Sequence, residues 1–143
     1  MATHEQRIPV RVYYEDTDFS GRVYHASYLR FFERGRTEWL RAFGLQHNVL
    51  AKSLDVAFAV VQIHVSFQAP AEIDDLLVVV TDIEAIRGPV LVFQQTILRD
   101  DRTVAAGRIE VVTLKRNRPT KPPNEILVAL RNVRYRLRDR CVR

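Results

Sequence analysis

Residues 27–43, SYLRFFERGRTEWLRAF, decide the fold. Tyr28, Phe32, Gly35, Trp39 and Phe43 recur at spacings of three and four, flanked by Leu29 and Leu40. Arg30, Glu33, Arg34, Thr37, Glu38 and Arg41 take the other side. A helical residue advances about 100° around the axis, so this pattern is one apolar stripe on a long amphipathic helix. Arg34 and Glu38 are four apart and can pair on the polar face, and Gly44 is a fitting stop. Gly35 stands inside the stripe, where it costs about 1 kcal/mol relative to alanine. The compensation this predicts is close backbone approach to whatever the helix packs against, most simply a sheet.

Beyond the helix the period falls to two. Ile63, Val65 and Phe67 alternate with Gln62, His64, Ser66 and Gln68, the pattern of a strand with one covered face. Three more β-rich runs follow, roughly Asp75 to Ile83, Val90 to Leu98 and Thr103 to Leu114. The connections IRG and RDDR are short enough for hairpins, which predicts an antiparallel meander. Pro119, Pro122 and Pro123 interrupt regular structure, and NEILVALRNV predicts a last turn or two of helix. On the N-terminal side, Ile8 to Tyr14 (IPVRVYY) is β-branched and aromatic and reads as a strand, while EDTDFSGRVYHAS reads as a loop. One long amphipathic helix with one antiparallel sheet makes an α+β domain in which the sheet wraps the helix.

The 143 residues, 47% hydrophobic and 27% charged, suit a single domain spanning 1–143. The lone cysteine, Cys141, excludes a disulfide framework and a Cys-rich zinc site, and points to a reducing compartment. No run approaches the roughly 18 apolar residues of a membrane span, and MATHEQRIPV lacks the parts of a signal peptide, so the expected location is cytoplasmic. The net charge is +5, and only three of the 22 basic residues are lysines. Guanidinium in such excess suits phosphate contacts, whether on nucleic acid, an anionic membrane or a small molecule. Nucleic acid is not expected, because the basic residues are not interleaved with a recognisable reader motif.

The chemistry concentrates in residues 13–28, YYEDTDFSGRVYHASY. Three carboxylates, Glu15, Asp16 and Asp18, and the imidazole of His25 stand between a strand end and the helix start. A helix N-terminus offers unpaired N–H groups to an anion or a developing oxyanion. A carboxylate beside it can act on a carbonyl as nucleophile or general base, which points to acyl transfer or hydrolysis. Caps and solvated turn residues would give the same composition.

The stretch VYYEDTDFSGRVYHASYLRFFERGRTEWLR closely resembles the signature of the YbgC-like acyl-CoA thioesterases, in the 4-hydroxybenzoyl-CoA thioesterase branch of the hot-dog fold superfamily. The resemblance continues weakly through VSFQAPAEIDD and RPTKPPNEILVAL. It implies the hot-dog fold and thioester hydrolysis of an acyl-CoA without metal or cofactor. The family's T-D-x-x-G element falls on Thr17, Asp18 and Gly21, placing Asp18 against the thioester carbonyl. The Y-H-A-x-Y element falls on Tyr24, His25 and Tyr28, with His25 orienting the reacting groups or helping the thiolate leave. Tyr14 and Tyr28 are expected to line the pocket, and the N–H groups near Tyr24 and His25 to polarise the carbonyl. Phe19 and Ser20 depart from the small residues many relatives carry, which bears on acyl-pocket shape.

The resemblance further implies a homo-oligomer with sites between subunits, a tetramer built as a dimer of dimers, and a short to medium aliphatic acyl group. An aromatic acyl-CoA is the alternative substrate. A non-enzymatic adaptor to acyl carrier protein or to membrane-associated lipid-synthesis enzymes is the alternative role. Glu33 and Glu38 fall on the polar helix face and His64 on a strand, so none is assigned a catalytic part. His4 and His47 read as surface residues. Arg87, Arg116 and Arg118 are candidate contacts for coenzyme A phosphates, and the C-terminal run Arg131, Arg134, Arg136, Arg138 and Arg140 reads as an extended basic segment.

Overall fold

The computed structural model describes residues 4–130. The decisive helix is α1, His25–Ala42, and Gly44 ends it at φ +76°. Its buried stripe of Tyr28, Phe31, Phe32, Gly35, Trp39 and Leu40 lies on one antiparallel sheet. The strands are β1 (Gln6–Arg11), β2 (Val56–Phe67), β3 (Leu76–Arg87), β4 (Val90–Arg99) and β5 (Arg102–Lys115), in spatial order β1-β3-β4-β5-β2. A two-residue strand, β6 (Arg118–Pro119), pairs with β5. Helix α2 (His47–Leu54) precedes β2, and α3 (Asn124–Ala129) follows the sheet. The expected meander is present as β3-β4-β5, with Asp100 and Asp101 both at positive φ in the second hairpin turn.

Gly35 makes the close approach predicted for it. A Cβ there would stand 2.5 Å from Thr81 Oγ1 and 2.8 Å from Gln95 Nε2. That contact admits a buried polar cluster between helix and sheet. Gln95 Nε2 donates to the Phe32 carbonyl and to Thr81 Oγ1, each at 2.8 Å, and Gln95 Oε1 accepts from Arg36 Nη1 at 3.1 Å. Burying an amide costs free energy unless its hydrogen bonds are made, and Gln95 makes them on both sides.

Several sequence expectations are corrected. Strand β1 stops at Arg11, because Tyr13 and the residues after it turn into a 3₁₀ turn, Tyr14–Asp16, anchored by the Asp16 carboxylate on the Tyr13 N–H at 2.9 Å. The Arg34–Glu38 pair does not form. Glu38 instead reaches Arg41 at 3.2 Å, and the Arg34 guanidinium lies over the Phe31 ring. Strand β2 begins six residues before the alternation does, since a bulge between Val60 and Gln62 breaks its period. Among the described residues its helix-side face is covered only in part: β2 is an edge strand, α1 packs chiefly on β3, β1 and β4, Phe58 and Val65 reach the core, and Val60, Ile63 and Phe67 are exposed. His64 is exposed opposite Arg108 and makes no side-chain hydrogen bond among the described residues. The C-terminal arginine run and Cys141 lie outside the described residues.

Candidate active site

The three carboxylates that look alike in sequence have different surroundings. Asp16 is buried, its Oδ2 accepting the Tyr13 N–H and its carbonyl the Tyr24 N–H at 2.9 Å. It is a structural brace. Glu15 is exposed on the outer side of the same turn. Asp18 opens a four-residue turn, Asp18–Gly21, inside a small loop closed by the Thr17–Val23 bridge. The Asp18 carbonyl accepts the Gly21 N–H at 3.0 Å, and the Asp18 N–H donates to the Arg22 carbonyl at 2.9 Å. Gly21 lies at φ +80°, a conformation that glycine takes without strain.

That turn fixes the Asp18 side chain as well as its backbone. Oδ1 accepts the Ser20 N–H at 2.8 Å and the Ser20 hydroxyl. The two Ser20 hydrogen bonds hold the carboxyl below its ordinary value, partial desolvation opposes them, and His25 and Arg22 add to the lowering. Asp18 is therefore ionised at neutral pH. Its Oδ2 has no hydrogen-bond partner among the described residues.

Helix α1 starts at His25, and its N-cap residue, Tyr24, makes no side-chain cap hydrogen bond. The Ser27 N–H returns to the Tyr24 carbonyl at 2.8 Å, while the His25 and Ala26 N–H groups meet no acceptor among the described residues. They leave the positive end of an 18-residue helix facing outward. The His25 ring packs 4.4 Å from the Tyr24 ring and edge-on to Phe67.

Asp18, His25 and Tyr28 line one cavity of about 390 Å³, together with Ser20, Phe67 and Pro70. The loop side is polar and the β2 side apolar. Tyr28 is buried, and desolvation raises its phenol above the ordinary value, partly offset by a backbone hydrogen bond at Ala71 and by Arg99, so the hydroxyl stays neutral. Of the other residues expected here, Thr17 and Gly21 build the loop frame without lining the cavity, and Tyr24 stands beside His25. Tyr14 lies outside the cavity, 83% exposed on the 3₁₀ turn. Phe67 and Pro70 carry no site signal in the sequence, and Ser20, tied there only to acyl-pocket shape, proves to hold the Asp18 carboxylate. The Asp-x-Ser spacing could have flagged Ser20, because such a spacing favours a side-chain turn. Nothing in sequence brings the end of β2 to this loop. A larger depression, about 530 Å³, lies across the Asp16 turn beside Arg11, Glu15, Arg34 and Glu38, but it contains no free helix N-terminus.

Comparison with known proteins accounts for most of the chain. Residues 12–130 match the family model described as the thioesterase-like superfamily. The chain is 38% identical over 128 residues to an acyl-CoA thioesterase, YbgC, of Haemophilus influenzae, covering 88% of this chain and 94% of that one. It is 49% identical over 98 residues to an acyl-CoA thioester hydrolase, YbgC, of Escherichia coli, covering 68% and 72%. A probable thioesterase from Bartonella henselae superimposes with a TM-score of 0.81 at 36% identity, covering 83% of this chain and 99% of that one.

Proposed function

The chain belongs to the thioesterase-like superfamily, and on that premise we propose that it hydrolyses acyl-CoA thioesters in the cavity between Asp18 and His25. One observation carries the assignment of residues. An ionised carboxylate with a free oxygen and His25, which brings both its imidazole and a helix N–H without an acceptor among the described residues, border the same 390 Å³ cavity, and the Ala26 N–H follows next along the helix. A thioester carbonyl seated on the His25 and Ala26 N–H groups has its developing oxyanion stabilised there. Asp18 Oδ2 then attacks the carbonyl carbon or takes a proton from an attacking water. The carbon–sulfur bond breaks, and coenzyme A leaves as thiolate and is protonated; where water attacked, the acyl group departs as carboxylate, and where Asp18 attacked, water then hydrolyses the mixed anhydride, releasing the acyl carboxylate and restoring Asp18. His25 orients the carbonyl and supports the leaving sulfur. The acyl group is read as short to medium and aliphatic, and the cytoplasm as the setting, in keeping with the single cysteine.

We infer that one protomer supplies only part of this cavity's wall. Among the described residues strand β2 leaves its outer edge unpaired, and along it Val60, Ile63 and Phe67 are exposed, with Phe67 walling the site. We read β2 as the strand that joins two copies. A twofold axis pairs a strand with itself antiparallel, so the C-terminal end of β2 in one subunit lies beside the N-terminal end in the other. The tetramer implied by the family resemblance would join two such dimers through another face. Lys115, Arg116 and Arg118 at the β5–β6 turn are exposed cations at the N-terminal end of β2, where Lys115 pairs with Val56. They suit phosphate recognition, whether of coenzyme A or of a carrier protein's prosthetic arm.

The test is free-thiol release from short, medium, long and aromatic acyl-CoAs by wild type and Asp18→Asn. The expected result is turnover on at least one substrate, with Asp18→Asn folded and reduced by about 10²–10⁴-fold. Full activity in Asp18→Asn would move the chemistry elsewhere. No turnover by wild type would favour a binding role.

A further inference from the structure

A second cavity lies under the C-terminal half of α1. Its volume is about 130 Å³, and its walls include Leu40, Phe58, Val60, Leu91 and Phe93. Into this apolar space comes one guanidinium. Arg36 lines it from the helix, and among the described residues its side chain makes one hydrogen bond, Nη1 to Gln95 Oε1 at 3.1 Å, and no ion pair. Burial lowers its pKa, and the nearby Glu33 charge opposes that effect. An arginine carries five N–H donors and stays charged, so most of its fork is left without a protein acceptor. Glu33, Thr37 and His47 line the same cavity and are tied to one another: Glu33 Oε1 accepts the Thr37 hydroxyl at 2.9 Å, and Thr37 Oγ1 meets His47 Nε2 at 3.2 Å.

The twofold arrangement gives this cavity a use. Phe58 and Val60 occupy the N-terminal half of β2, and Phe67, at its C-terminal end, walls the Asp18 cavity. When β2 pairs with its copy in reverse order, the Phe67 end of one subunit faces the Phe58–Val60 end of the other. The Asp18 cavity of one protomer then opens toward the Arg36 cavity of its partner. We propose that this second cavity receives the far end of the acyl group, and that Arg36 of the partner subunit selects short acyl groups ending in a carboxylate over those ending in a methyl. The inference rests on the thioester-hydrolysis reading and on β2 pairing. The volume equals roughly four waters of liquid, which holds a chain end of about four or five heavy atoms and no long alkyl tail. A carboxylate matches the guanidinium fork, whereas a methyl group leaves it desolvated and unpaired.

The test compares kcat/KM for succinyl- and glutaryl-CoA with butyryl- and pentanoyl-CoA. Wild type is expected to favour the carboxylate-ended substrates by about tenfold or more, as sites built around a polar contact discriminate strongly. Arg36→Met abolishes or inverts that ratio, and Arg36→Lys, which keeps the charge, retains part of it. The ratio within one preparation is independent of how much protein is folded. Co-expression of Asp18→Asn with Arg36→Met chains then decides the arrangement. A mixed dimer holds one Asp18 opposite one Arg36, so it recovers about half the wild-type rate on succinyl-CoA, which neither variant does alone. No recovery in a purified mixed dimer, or a wild type and Arg36→Met with the same ratio, overturns the proposal. Hydrolysis without the carboxylate preference defeats this inference alone, whereas no thiol release from any acyl-CoA defeats the hydrolysis reading with it.

Discussion

The two edges of the sheet are built on opposite rules. Strand β1 is six residues long, carries Pro9, which has no N–H to donate, and presents Arg7 and Arg11 to solvent. Arg7 pairs with Glu5 at 2.8 Å, and Arg11 donates to the Asp74 carbonyl at 2.7 Å. Shortness, proline and charge are the usual devices against unwanted strand pairing. Strand β2 uses none of them: its twelve residues, VAFAVVQIHVSF, include no proline, lysine, arginine or carboxylate, and Val60, Val61, Ile63 and Phe67 are exposed at 44, 57, 42 and 53%. Among the described residues, one sheet therefore has a guarded edge and an open one. The open edge borders the Asp18 cavity, so we read it as the place where the site is completed.

The sharpest way to break this contrast is to give β2 the protection β1 has. Val61→Lys with Ile63→Lys is expected to yield monomers and to lower kcat/KM by about 100-fold or more, since small misplacements at a site are costly. Size-exclusion chromatography with light scattering, alongside thiol release, checks both effects. Next in size is Gly35→Ala, which strikes the helix–sheet contact shared by both edges. The added Cβ meets Thr81 Oγ1, Gln95 Nε2 and Val79 Cγ1, so overpacking should cost about 1–3 kcal/mol in denaturant unfolding while leaving the mass in solution unchanged from wild type.

A smaller effect is confined to the Asp18 turn. Asp18 has a depressed pKa, so its charged form is complete above the ordinary carboxylate value and is lost as pH falls through the lower, folded one. Ser20→Ala removes the largest cause, the hydroxyl hydrogen bond, and is expected to move the acid limb of the kcat/KM profile upward with little change near neutrality. An unmoved limb would mean that Asp18 does not set it. Smallest of all is Arg7→Ala on the guarded edge, where loss of an exposed ion pair should change stability by less than about 1 kcal/mol and leave mass and turnover alone.

What the sequence revealed follows the strength of its periodicity. Helix α1 has an uninterrupted apolar stripe, the three meander strands are long β-rich runs joined by short turns, and Gly35, a poor helix former inside that stripe, announces its sheet contact. Helix α2 escaped notice because it is eight residues long and buries only Leu50. The N-terminal half of β2 escaped because the bulge at Val60 and Gln62 puts it out of phase with the rest. At the candidate site, composition points to one loop but does not rank Glu15, Asp16 and Asp18. Their hydrogen bonds rank them: Asp16 faces inward on the Tyr13 N–H, Asp18 is held outward by Ser20, and Glu15 has neither bond. The open edge was visible only as a strand, because a side chain's pattern does not say whether another subunit will cover it.

The most direct test of the shared site is sedimentation equilibrium of the wild-type chain over a dilution series, with acyl-CoA hydrolysis measured on the same samples. The account predicts a dimer or a multiple of it at high concentration, and turnover per chain that falls as dimers dissociate. A monomer that hydrolyses acyl-CoA at the full rate would contradict it.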